Sequence, residues 1–71
     1  MNMTPITNSS NVKAVGYDEN TETLRVEFLA GGVYDYLDVP ISQYSALMSA
    51  DSVGSFIAKQ IKRKYESRKV N

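Results

Sequence analysis

The chain contains no cysteine and no histidine. The first absence rules out a disulfide staple and a thiolate zinc site. The second removes the commonest general base and the commonest metal ligand, so Ser-His and Cys-His nucleophile systems are out of reach. A glycine-rich phosphate loop is missing too: Gly31-Gly32 has neither the preceding glycine pattern nor a following Lys-Ser or Lys-Thr. Two acidic pairs, Asp35 with Asp38 and Asp18 with Glu22, could hold a divalent cation, but both read more simply as turn and surface acids. With no familiar site constellation present, we expect no enzyme, no cofactor and no metal centre. No apolar run is long enough to span a bilayer, and the first residues lack the basic-then-apolar pattern of a secretory signal. The expectation is a soluble, cytoplasmic protein with no membrane partner.

What is present is small and divided in charge. The 71 residues make one domain over 1–71, near the lower limit for a chain folding on its own core. Small chains without staples often gain stability by self-association, so a homo-oligomer is one expected state. The formal net charge is zero, yet residues 1–51 carry two basic residues against seven acidic ones, and residues 52–71 carry six against one. An acidic half and a basic tail can serve an anionic partner, or let one copy's tail dock on another copy's sheet.

Taken in order, residues 1–10 are polar, carry Pro5 and read as a loose N-terminal arm. Val12 to Tyr17 is a first strand, and Asp18 to Glu22 is a turn rich in residues that bend backbone. Thr23 to Leu29 is the clearest strand, because Leu24, Val26 and Phe28 alternate with Arg25 and Glu27. Ala30-Gly31-Gly32 turns the chain into a third strand, Val33 to Asp38, which Pro40 stops. A first helix should start at Pro40 or Ile41 and run to about Ala50, with Ile41, Tyr44, Leu47 and Met48 on one stripe. Asp51 or Ser52 can cap a second helix from Val53 to about Ser67, whose inner stripe is Val53, Ile57, Ile61 and Tyr65. Gly54, in its first turn, permits close approach of another segment. The predicted fold is α+β: a three-stranded antiparallel meander over 11–38, followed over 40–67 by two helices packed on one face.

Tyr34 and Tyr36 project from the same face of their strand. An even hairpin loop sets them beside Arg25, Glu27 and Leu29, as an exposed platform of the kind that stacks unpaired bases. An odd loop sets them with Leu24, Val26 and Phe28 in the core. Asp35 separates the two. The even register buries its carboxylate, at a cost of several kcal/mol, whereas the odd register places Glu27 opposite it, a repulsion of a few tenths. The comparison favours tyrosines in the core with hydroxyls at the rim. Along the second helix, Lys59, Lys62, Arg63 and Glu66 share an outward face by their spacing, with Lys64 beside them. Such a ridge can neutralise phosphates. It is equally the solvated, dipole-favoured end of a helix.

Gly32-Val33-Tyr34-Asp35-Tyr36, followed by Val39-Pro40, resembles the KTSC family, which takes its name from the C-terminus of some lysyl-tRNA synthetases and occurs also as short bacterial and phage proteins. Further matching pieces are Ser9-Ser10-Asn11, Val15-Gly16-Tyr17-Asp18, Leu24 to Phe28, Tyr44 with Leu47-Met48, Ser52 and Gly54 before Phe56, Ile61 and Tyr65. The likeness covers residues 8–65. Phe56 stands where the family often has tyrosine. The resemblance implies an aromatic-x-aromatic signature, no established activity, and an RNA partner suggested by the synthetase context. The favoured function is a small non-catalytic binding module for RNA, a nucleotide or another phosphate-bearing ligand. In it Lys59, Lys62, Arg63 and Lys64 meet phosphate, and Tyr34 and Tyr36 stack on bases or brace the site. The rival is a self-assembling or protein-interaction accessory protein with no nucleic-acid role. A nucleotide-sequestering protein would need the same residues gathered in a pocket, which the sequence does not show.

Overall fold

Alternation in Thr23–Phe28 (β3) builds the middle of a sheet. In the computed structural model, which describes residues 1–71, Leu24 and Val26 of β3 are fully buried. Val12–Asp18 (β2) pairs with β3 on one side and Val33–Tyr36 (β4) on the other, both antiparallel, so the expected meander is present. The sheet is nevertheless wider than three strands. It has five, with Thr4–Pro5 (β1) beside β2 and Ser67–Lys69 (β5) beside β4.

Both extra strands answer the same need. The outer edges of β2 and β4 carry rows of backbone N–H and C=O groups, and unpaired buried groups are costly. The first residues were expected to form a loose arm. Instead Thr4 lies opposite Val15 and Pro5 opposite Ala14, and the Ile6 amide donates to the Lys13 carbonyl at 2.9 Å. Pro5 suits an edge, where its missing N–H goes unnoticed. Asn8 ties the arm down further by donating its side-chain amide to the Asp51 carbonyl at 3.2 Å. At the other edge, the Leu37 amide donates to the Glu66 carbonyl at 2.9 Å and the Val33 amide to the Asn71 carbonyl at 3.0 Å.

The first helix, Ile41–Met48 (α1), begins after Pro40, as expected, and is closed by Ser49. Of its anticipated stripe only Leu47 is fully buried; Tyr44 is half-buried, and Ile41 and Met48 are exposed. The second, Val53–Phe56 (α2), is capped by Ser52, whose hydroxyl accepts from the Ser55 amide at 3.3 Å. It does not run to Ser67. After Phe56 it widens into a π-type segment, Ile57–Ile61, closed by the Lys62 amide on the Ile57 carbonyl at 2.8 Å, and the chain then turns back towards the sheet.

The widened turn has a packing reason. Four residues of α-helix overshoot a full turn by about 40°, so a stripe repeating every four drifts off its target. A turn closed from i to i+5 rotates less per residue and takes that drift back. Val53, Ile57 and Ile61 consequently all stay in the core, at 3%, 1% and 0% exposure. They pack with Leu47 and Val39 against Val12, Val15, Leu24, Val26 and Tyr36, so both helices sit on one face of the sheet, as anticipated. Gly54 is where the arm passes close to α2. A Cβ there would lie 2.8 Å from the Ser9 hydroxyl, which is already pinned by the Val12 amide at 3.1 Å.

Candidate functional site

The site grows out of the β3–β4 hairpin. Gly31 and Gly32 both adopt left-handed backbone, with φ of 106° and 94°, which is open to glycine at no steric cost. The last pair before the turn is Glu27 with Val33, leaving an odd number of residues between them. Tyr34 therefore opposes Val26, and Tyr36 opposes Leu24, on the core side of the sheet. Tyr36 is 4% exposed and Tyr34 is half-buried against the core. The exposed platform on the wet face is not formed.

Asp35 takes the opposite face, and its partner corrects the expectation of a repelling Glu27. Because the turn is longer than Ala30-Gly31-Gly32 alone, Asp35 faces Arg25. The pair is bidentate, Nε to Oδ1 at 2.7 Å and Nη2 to Oδ2 at 2.9 Å. That hydrogen bond, more than the plain attraction of charge, raises the Arg25 pKa above its ordinary value and outweighs the lowering by burial. Glu27 instead faces Val33 across the strands and pairs with Lys13 at 3.7 Å. The suggested acidic cation sites are otherwise engaged: Asp35 is held by Arg25, and Asp18 accepts from the Asn20 amide at 3.0 Å.

On the core side, one end of the layer stays open. Phe28 and Tyr34 meet edge to face, with ring centroids 5.9 Å apart, and the Lys62 ammonium lies 5.1 Å from the Phe28 centroid. With Tyr36, Asn11 and Ser67 they line a pocket of about 550 Å³ between the hairpin, β5 and the end of the π-type segment. Thus Tyr34, Tyr36 and Lys62 come together in one place. Lys59, Arg63 and Lys64 are exposed and do not line the pocket. Glu66 leaves the expected ridge altogether, since the helix ends before it and its carbonyl serves the sheet. The register of β5 adds Lys69, directly across from Tyr34 and so on the same sheet face.

No carboxylate neutralises this tail. The two ion pairs of the chain are Lys13–Glu27 and Arg25–Asp35, both on the sheet. The pocket also holds residues that sequence reasoning passed over. Phe28 was assigned to the core by its alternation with Arg25 and Glu27, and that same alternation puts it on the tyrosines' face. Asn11 entered only through the Ser9-Ser10-Asn11 piece of the family resemblance, and Ser67 carried no signal, because only the closing of β5 and the arm brings them here. A second concavity of about 340 Å³ is lined by Ser9, Asn11, Ser52, Gly54 and Ser55. There the Ser9 and Ser52 hydroxyls are spent on backbone amides.

Beyond the pocket, Tyr17 locks the segment before α1. Its hydroxyl donates to the Val39 carbonyl at 2.5 Å, and its ring stacks on Tyr44 at 5.0 Å. Burial, followed by the charges of Glu22, Glu19 and Asp18, raises its pKa above the ordinary tyrosine value. A raised acid pKa means that above about pH 10 the unfolded chain has released a proton the native one still holds, so stability falls as pH rises. We expect urea midpoints to be level between pH 7 and 9 and to drop by pH 11, with the drop reduced in Tyr17→Phe. An equal drop in that variant would mean that the phenol is not the group responsible.

Comparison with known proteins places these features. Residues 8–65 match the KTSC domain. The crystal structure of a KTSC domain protein from Yersinia pestis superposes with a TM-score of 0.94 at 36% identity, over 99% of this chain and 97% of that one. A lysine–tRNA ligase of Nostoc punctiforme is 40% identical over 55 residues, 78% of this chain but 10% of the ligase. An uncharacterized protein of Stutzerimonas stutzeri is 44% identical over 46 residues, 65% of each chain. The chain thus spans about a tenth of the length of the ligases it matches. It belongs to the KTSC domain family. None of its helices is long and apolar enough to cross a membrane.

Proposed function

We propose that this KTSC domain is a small non-catalytic module that binds RNA or another phosphate-bearing ligand at the Phe28–Tyr34–Tyr36–Lys62 pocket. The observation that carries the reading is the meeting of aromatic faces and an uncompensated cation in one open cleft. Half-buried rings offer stacking area, and ammonium and guanidinium groups free of carboxylates are available to phosphate. Lys59, Arg63 and Lys64, exposed beside Lys62, extend the positive surface along which a phosphate backbone would run. Several relatives are named lysine–tRNA ligases, a name that concerns a tRNA, and that lends support to an RNA partner. The formal net charge of zero argues for short contacts over broad electrostatic wrapping.

The test is an NMR titration of the ¹⁵N-labelled protein with a short single-stranded RNA at low ionic strength. Shifts should cluster at Phe28, Tyr34 and residues 59–64, and weaken as salt rises. Replacing Lys62 and Arg63 together by alanine should lower affinity about tenfold or more, since charge-assisted phosphate contacts are each worth on the order of 1 kcal/mol or above. Unmoved spectra at low salt would remove RNA as the ligand.

A further inference from the structure

The Lys62 ammonium sits on the very ring that a base would need. We infer that the pocket takes one unpaired nucleotide by exchange: the base replaces the Lys62 ammonium over Phe28, and the displaced ammonium moves to that nucleotide's phosphate. This deepens the reading of the pocket as a site for phosphate-bearing ligands and rests on it.

Three features of the site lead here. First, its volume, about 550 Å³, lies within the range of sites that take a small ligand. Second, the aromatic pair is arranged to receive a ring. Phe28 and Tyr34 are tilted at 74° to one another, so a base lying on Phe28 meets Tyr34 as a wall, and Tyr36 forms the floor. Third, the cover over Phe28 is a single exposed side chain. Lys62 is exposed, lies just past the helix end, and has no carboxylate holding it.

The exchange is favourable by ordinary magnitudes. An exposed cation–π contact is weak, whereas stacking a base on an aromatic side chain is generally the stronger contact. The ammonium, once released, gains a charge-assisted contact with phosphate. Asn11 and Ser67 supply polar groups on the wall. The Asn11 Oδ1 already accepts from the Ser9 hydroxyl at 2.8 Å, which leaves its amide hydrogens for the ligand. The two halves of the ligand are therefore coupled. A base without a phosphate displaces Lys62 and gives it nowhere to go, and a phosphate alone pulls Lys62 away and uncovers Phe28.

The experiment compares AMP, adenosine and inorganic phosphate by NMR titration of the wild-type chain, Lys62→Met and Phe28→Leu, alongside the RNA titration above. In wild type, AMP should shift Phe28, Gly31, Tyr34 and Lys62 and bind at least tenfold tighter than adenosine or phosphate. In Lys62→Met, AMP should fall to the level of adenosine, while adenosine itself binds as well as before or better, because no cation has to leave. Phe28→Leu should weaken both. Lys62 is exposed, so its replacement leaves the fold intact, which the spectrum of the free variant reports directly. If RNA binds but AMP leaves the pocket resonances still, the exchange is wrong and the RNA reading stands. If AMP binds at the pocket and RNA does not, the exchange stands and the RNA reading falls. Should tetramethylammonium shift the pocket of Lys62→Met while neither AMP nor RNA shifts either protein, the cleft is a cation cage and both are overturned.

Discussion

Leu47→Ala is expected to cost about 2–5 kcal/mol, the range for truncating a fully buried leucine. Leu47 is 0% exposed and is the one fully buried residue of α1, so it is that helix's main anchor on the sheet, with the half-buried Tyr44 stacked on Tyr17 beside it. A domain of 71 residues has roughly 4–10 kcal/mol of stability in total on a per-residue scale. The substitution therefore removes about half of it. Urea unfolding followed by circular dichroism should show the midpoint falling to about half its original value with an unchanged slope. Ile41→Ala and Met48→Ala, on the same helix but 48% and 40% exposed, should each stay within about 0.5 kcal/mol of the parent. Comparable losses at all three positions would mean that the whole stripe, and not one residue, anchors α1.

That contrast also shows where local reasoning about the chain stops. Period alone placed Ile41, Tyr44, Leu47 and Met48 on one stripe, but only Leu47 is fully buried under this short helix, with Tyr44 half-buried beside it. The meander was legible because β3 alternates cleanly and Gly31-Gly32 marks a tight reversal. The choice between registers was legible as well, through the cost of burying Asp35. The partner of Asp35 was not, because one pair of residues more or less in the turn exchanges Glu27 for Arg25 without changing which face the tyrosines take.

The two edge strands were hidden for a related reason. Thr4–Pro5 and Ser67–Lys69 have no strand-like composition of their own, and they are extended because β2 and β4 had hydrogen bonds to give. The same is true at the end of the second helix. Residues 53–67 have a helical repeat throughout, yet the edge of β4 draws the last of them into β5, and Lys62, where the helix stops, lies over Phe28. The site's aromatic half was thus written in the alternation of β3 and β4, and its cationic partner was decided by tertiary pairing.

Tyr36 is where fold and pocket meet, and its two variants should behave very differently. Its ring is 4% exposed, packs in the core opposite Leu24, and forms the pocket floor. Removing the ring with Tyr36→Ala should cost about 3–5 kcal/mol, the range for a buried aromatic, which is most of the domain's stability. Thermal unfolding by circular dichroism should show little cooperative transition left. Tyr36→Phe should be nearly silent at neutral pH, within about 0.5 kcal/mol, because the ring's contacts survive and the chain has no buried polar atom left without a partner to begin with. The difference appears in alkali. Burial, and after it the neighbouring Tyr34, raises the Tyr36 pKa above its ordinary value, so the parent loses stability as pH climbs past about 10. Phenylalanine has no proton to release, and the Tyr36→Phe curve should be flatter there. A phenylalanine variant as unstable as the alanine one would show that the hydroxyl, and not the ring, holds β4 to the core.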